Sequence, residues 1–131
     1  MKKGGFTLVE MLVVIAIIGI LSAAVLASLG PARNRAKDAR IISGVEQVRA
    51  IAEILYDGDY AAVVIGQTDI AKVATDIAAN QGTLEVHPDP DDALTYSVEA
   101  KLASGGYYCA DSAGIAKNYA ADPDTSSGLC P

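Results

Sequence analysis

Glu10 is the only charged side chain between Phe6 and Leu29, a run of 24 residues otherwise apolar or small. A carboxyl group inside a membrane segment costs about 2.5 kcal/mol or more, so it needs a partner: an amine, or a headgroup reached by snorkelling. Cys109 and Cys130 are the only thiols. In an exported domain they would gain roughly 3 kcal/mol by pairing across 20 intervening residues. In the cytosol two unpaired buried thiols are the expectation, and the spacing contains no Cys-x-x-Cys redox motif. His87 is the sole histidine, set between Val86 and Pro88. To serve in catalysis it would have to approach a cysteine or a serine, for which the sequence gives no second element. Asp111-Ser112-Ala113-Gly114 reads as a hairpin turn before it reads as a nucleophile motif. Asp89, Asp91 and Asp92 are the best oxygen-ligand cluster, but their spacing fits no EF-hand, and a solvated acidic turn accounts for them. The sequence thus points to no catalytic set, no metal site and no cofactor.

The elements that carry these residues follow from periodicity. Residues 6–29 would span about 36 Å as a helix, enough for roughly 30 Å of hydrocarbon. A cleaved secretory signal shares the basic start and apolar run, and Ser22-Ala23-Ala24 offers small residues for a signal peptidase. The length of the run, Glu10 within it and helical pattern beyond Ala24 favour an uncut helix. Gly30-Pro31 is expected to interrupt or kink it. Ile41, Val45, Val48, Ala52 and Leu55 then make an apolar stripe, with Arg49 and Glu53 placed for an i,i+4 pair, predicting an amphipathic helix over 32–56. Thr68-Asp69 suits a second helix start, ending near Gln81-Gly82. Thr83 to Val86, the alternating Leu94, Tyr96, Val98, Ala100 and Leu102, Tyr107 to Ala110, and Ile115 to Lys117 predict a meander of three or four antiparallel strands. The fold class is α+β: a long N-terminal helix, apolar and then amphipathic, packed on a small antiparallel head. The tail from Asp122 to Pro131 reads as a loop.

Charge is divided along the chain. Arg33, Arg35, Lys37 and Arg40 against Asp38 give a basic neck of +3, whereas from Ile41 onward four basic residues face fourteen acidic ones, a net −10. An acidic head does not suit phosphate backbones, so no direct nucleic-acid binding is expected. The neck is either a solvated helix face or a contact for lipid headgroups and acidic neighbours.

Gly5-Phe6-Thr7-Leu8-Val9-Glu10, followed by the apolar run from Met11 to Leu21, closely resembles the class III signal of type IV pilins and pseudopilins. The resemblance implies cleavage by a prepilin peptidase between Gly5 and Phe6, N-methylation of Phe6, and an assembly role for Glu10. It implies a division into a leader (1–5), a transmembrane or filament-core helix (6–30), an amphipathic helix (31–56) and a globular α/β head (57–131). Many Gram-negative pilins carry a proline where this chain has Ala27. Tyr107 to Ser112 with a terminal cysteine also looks like the disulfide-bounded loop of pilin heads, which implies a Cys109–Cys130 bond. Partners implied are further copies of the chain in a filament, the peptidase-methyltransferase, assembly machinery and membrane lipid. The positive-inside rule, applied to two lysines before the helix and four basic residues after it, would leave the head in the cytoplasm. The resemblance implies the reverse: a single-pass protein of the cytoplasmic membrane with its head exported, then part of an extracellular or periplasmic filament. The expected function is a structural subunit of a type IV pilus-like filament. Alternatives are a pseudopilin of a type II secretion system and a membrane-anchored domain that does not polymerise.

Overall fold

The structure is a computed structural model that describes residues 5–91 and 93–131. Lys2, Lys3 and Asp92, which carry expectations above, lie outside the described residues. The chain divides into two units, Met1–Arg33 and Asn34–Pro131.

The first unit contains the start of α1, a helix running Leu8–Leu55. Every side chain from Leu8 to Leu29 is exposed, among them Ile15, Ile20 and Leu26. By length and composition this is a helix able to cross a membrane. Of the interruption or kink expected at Gly30-Pro31, the interruption does not occur: Pro31 lies inside the helix. Proline in a helix interior costs about 3 kcal/mol. Helix-forming residues on both sides, Leu26 and Ala27 before and Ala32 to Lys37 after, outweigh that local cost. Ser28 Oγ turns back onto the carbonyls of Val25 (3.0 Å) and Ala24 (3.4 Å), a habit of hydroxyl residues in apolar helices.

In the second unit the rest of α1 buries the predicted stripe, with Ile41, Val45, Val48 and Ala52 inaccessible to solvent. Gly44 lies on the same face, and a Cβ there would stand 2.8 Å from Ile77 Cδ1. This close approach seats α2 (Thr68–Ala79), whose Ile70 and Ile77 complete the helical side of the core. α2 starts at Thr68 as expected, and its cap is Gln67, whose Oε1 accepts from the amides of Asp69 (2.7 Å) and Ile70 (2.9 Å). Gln67 thus does at longer reach what a short polar residue does at this position. The pair expected between Arg49 and Glu53 is also redirected: Arg49 binds Glu46 at 2.9 Å, and Glu53 accepts from the Tyr60 hydroxyl at 3.2 Å.

Four strands form one antiparallel sheet in sequence order: β1 (Thr83–Pro88), β2 (Tyr96–Lys101), β3 (Tyr107–Asp111) and β4 (Ala116–Tyr119). The register pairs Leu84 with Ala100, Val86 with Val98, and Val98 with Ala110 on the face that meets the helices. Leu94, expected to open the second strand, lies before it and is exposed. The opposite face carries Glu85, His87, Ser97, Glu99, Cys109 and Asp111. On that face Ser97, Glu99, Cys109 and Asp111 are buried. The C-terminal tail covers it, with Pro123, Thr125, Gly128 and Cys130 buried in turn.

Candidate functional site

Two regions hold the chemistry. In the first, Thr7 and Glu10 close a reciprocal cap at the start of α1. Glu10 Oε2 accepts from the Thr7 amide (2.8 Å) and hydroxyl (2.7 Å), while Thr7 Oγ1 accepts from the Glu10 amide (3.3 Å). This is a capping box, and its signature Thr-x-x-Glu was present in the sequence but obscured there by the carboxylate's oddity within an apolar run. Glu10 is therefore held one turn from Phe6, with its carboxylate turned toward the N-terminal end of the helix. Gly5 has open space around its Cα, and Phe6 is 78% exposed, so the Gly5-Phe6 peptide is accessible.

The second region is the outer sheet face and its tail. Cys109 and Cys130 form a disulfide with Cα atoms 6.1 Å apart. The buried Asp111 carboxylate accepts from the Ile115 amide (2.9 Å) and the Cys130 amide (3.0 Å), joining the β3–β4 turn to the tail. Tyr119 donates its hydroxyl to the Pro131 carbonyl. Ser112, weighed above as a nucleophile, is engaged at the strand end: its hydroxyl accepts from the Tyr96 amide at 3.3 Å and its amide donates to Tyr96 O at 3.0 Å. Residues 112 and 113 form the turn between β3 and β4, as the sequence suggested.

Beside the disulfide, Glu85 and His87 of β1 meet Glu99 of β2. His87 Nε2 stands 3.6 Å from Glu85 Oε2 and 3.8 Å from Glu99 Oε1. Burial, followed by the charges of Asp122 and Glu85, pushes the Glu99 carboxyl up to about 7. Sequence reading missed this cluster. Glu85-x-His87 places both residues on one face of a strand, but Glu99 joins them only through the strand register. The cluster favoured in the sequence behaves as an ordinary turn where it is described: Asp89 accepts from the Asp91 amide (2.8 Å) and the Thr95 hydroxyl (3.4 Å). Half of the basic neck is taken up by the head itself, with Arg40 on Asp76 (2.8 Å) and Lys37 on Gln81 (2.6 Å). Arg33 and Arg35 remain exposed.

No curated protein and no solved structure matches the chain. Residues 1–26 match the family model of the prokaryotic N-terminal methylation motif, the prepilin-type signal of type IV pilins and pseudopilins. That motif marks a pilin-like structural subunit rather than an enzyme, and it coincides with the exposed apolar start of α1.

Proposed function

We propose that this chain is a type IV pilin that polymerises into a pilus-like filament through the apolar part of α1. The observation that carries the reading is the match over residues 1–26, in which Gly5-Phe6 precedes Glu10 at the start of an exposed apolar helix. A prepilin peptidase cuts after Gly5, and Phe6 becomes the methylated amino terminus. Residues 6–30 serve first as membrane anchor and then as filament core, and the head from residue 57 is exported.

Physical chemistry supports this sequence of events. Cutting at Gly5 creates an amine on Phe6 one helical turn from the Glu10 carboxylate. Two opposite charges in hydrocarbon are each costly alone, and pairing offsets part of the cost. The amine of one subunit against Glu10 of its neighbour sets an axial stagger between helices. Gly19, Ser22, Ala23 and Ala27 allow close helix approach in that core. A pilus role is favoured over a secretion role because the tail is closed by a Cys109–Cys130 bond, as in the terminal loops of pilin heads.

The test is mass spectrometry of the amino terminus combined with electron microscopy of sheared surface filaments. Methyl-Phe6 as the terminal residue of the bulk filament subunit is the expected result. An intact Met1, or a start at Val25, overturns the reading. Recovery of the processed chain only in short periplasmic assemblies would move it to a secretion system.

A further inference from the structure

The Glu85, His87 and Glu99 side chains offer one imidazole nitrogen and two carboxylate oxygens within 4.8 Å of one another. We propose that they bind a divalent transition-metal cation of the zinc type on the outer face of the sheet, and that the ion links β1 to β2.

Three observations converge on this. Glu85 and Glu99 are directly opposed across the β1–β2 pair. Like charges at such a position repel, and here one of them is buried, with Glu99 only 4% exposed. A bound cation would relieve that repulsion, and no lysine or arginine is bonded to either group among the described residues. Second, the buried polar atoms of the cluster are unused: His87 Nε2 and Glu99 Oε2 have no hydrogen-bond partner. Such atoms are rare in folded proteins and call for an explanation, an ion among them. Third, the spacing suits coordination better than hydrogen bonding. Separations of 3.6 Å and 3.8 Å are too long for a hydrogen bond. Ligands about 2.1 Å from a tetrahedral ion lie about 3.4 Å apart, so the two imidazole–carboxylate separations need contract by only a few tenths of an ångström, and the two carboxylate oxygens already lie within 4.8 Å of each other.

The donor set selects the ion. Calcium and magnesium favour all-oxygen ligands, whereas an imidazole with carboxylates favours zinc and its neighbours. Glu85 and His87 come from β1 and Glu99 from β2, so one ion would link the two strands. This inference does not depend on filament assembly and stands or falls separately from it.

The test uses the full chain in detergent micelles, stripped with chelator and titrated with zinc chloride by calorimetry, with thermal melting in parallel. One zinc per chain and a higher melting temperature are expected, with calcium and magnesium giving neither. His87 is the only imidazole in the chain, so His87→Gln isolates this site. His87→Gln and Glu99→Gln should each weaken zinc binding by about tenfold or more, at least the loss seen when outer-shell partners of a metal are removed. Both replacements preserve size, and the melting curve of each metal-free variant reports whether it is folded. Absence of zinc uptake by the wild-type chain overturns the proposal. So does binding by folded His87→Gln or Glu99→Gln at wild-type strength, or a calcium affinity equal to that for zinc.

Discussion

The amide of Cys130 donates to the buried carboxylate of Asp111 at 3.0 Å, two residues beyond the cysteine to which Cys130 is bonded. The tail is thus fastened twice to the same strand, once covalently and once by a charge-assisted hydrogen bond. The other Asp111 oxygen holds the Ile115 amide of the following turn. Asp111→Ala leaves two backbone donors without their acceptor, which costs about 2–4 kcal/mol at the usual cost of buried unsatisfied groups. Asp111→Asn keeps one acceptor oxygen and should lose about half as much. Denaturant unfolding under non-reducing conditions measures both. An Asp111→Ala chain as stable as wild type would mean that the disulfide alone secures the tail.

Gly44 gives a substitution whose sign depends on a single contact. In an exposed helix interior Gly→Ala gains about 1 kcal/mol. Here the added methyl would lie 2.8 Å from Ile77 Cδ1 and Cγ1 and 3.3 Å from Val73 Cγ1. Gly44→Ala should therefore destabilise by about 1–3 kcal/mol, the range for overpacked cores. Ile77→Val removes Cδ1, so the double variant should recover part of the loss, and a double-mutant cycle reads the coupling. Additive losses would show that the two sites do not compete for space.

The alkaline limb of stability should follow buried tyrosines. Burial, then the Glu46 hydrogen bond, pushes Tyr108 up to about 12, and burial, then Glu53, does the same for Tyr96. Arg49 opposes both shifts without cancelling them. Because the folded-state values lie above the ordinary value near 10, the neutral hydroxyls contribute stability that is complete below about pH 10 and disappears as pH rises toward about 12. Ultraviolet titration should show at least two of the six tyrosines ionising only near that upper limit, together with loss of folded structure. Tyr108→Phe loses the 2.8 Å bond to Glu46, costing about 1 kcal/mol at neutral pH, but should unfold at a higher pH than wild type. Ionisation of all six at ordinary pH in the folded chain would contradict the burial argument.

What the sequence made legible was local. The period of the stripe from Ile41 to Ala52 identified the face that is buried, and the alternation through Tyr96, Val98 and Ala100 identified the strand that becomes β2. Both follow from spacing alone, since each element repeats within a few residues. Alternation could assign Ser97 and Glu99 to the face away from the helices, but not reveal that the tail covers that face. Coverage depends on where Cys130 returns, a contact across the whole head. Likewise Glu99 meets His87 only once register is fixed, and no local pattern encodes register between strands joined by a loop. Pro31 does not end the helix, for the opposite reason. Its penalty is local and real, and the long helical context overrides it.

At Glu10 a cap contact stands beside the proposed assembly role. The carboxylate completes a cap with Thr7, and in the proposed filament it is also the charge offered to a neighbouring subunit's amine. Glutamine serves at this position of a capping box as well as glutamate does, but it carries no charge. Glu10→Gln should therefore preserve the helix start and processing at Gly5, yet assemble as poorly as Glu10→Ala. Losing about 1.4 kcal/mol per subunit contact already lowers each association constant tenfold. Thr7→Ala, by contrast, removes the cap hydroxyl and keeps the charge, so filament yield should fall only slightly. The measurement is sheared-filament yield at equal membrane levels of processed subunit. Wild-type yields from Glu10→Gln beside failure of Glu10→Ala would assign Glu10 to the cap and remove charge pairing from assembly. Loss in both with near-normal yield from Thr7→Ala would leave the carboxylate's charge, and the amine made by cleavage, as the pair that sets the stagger.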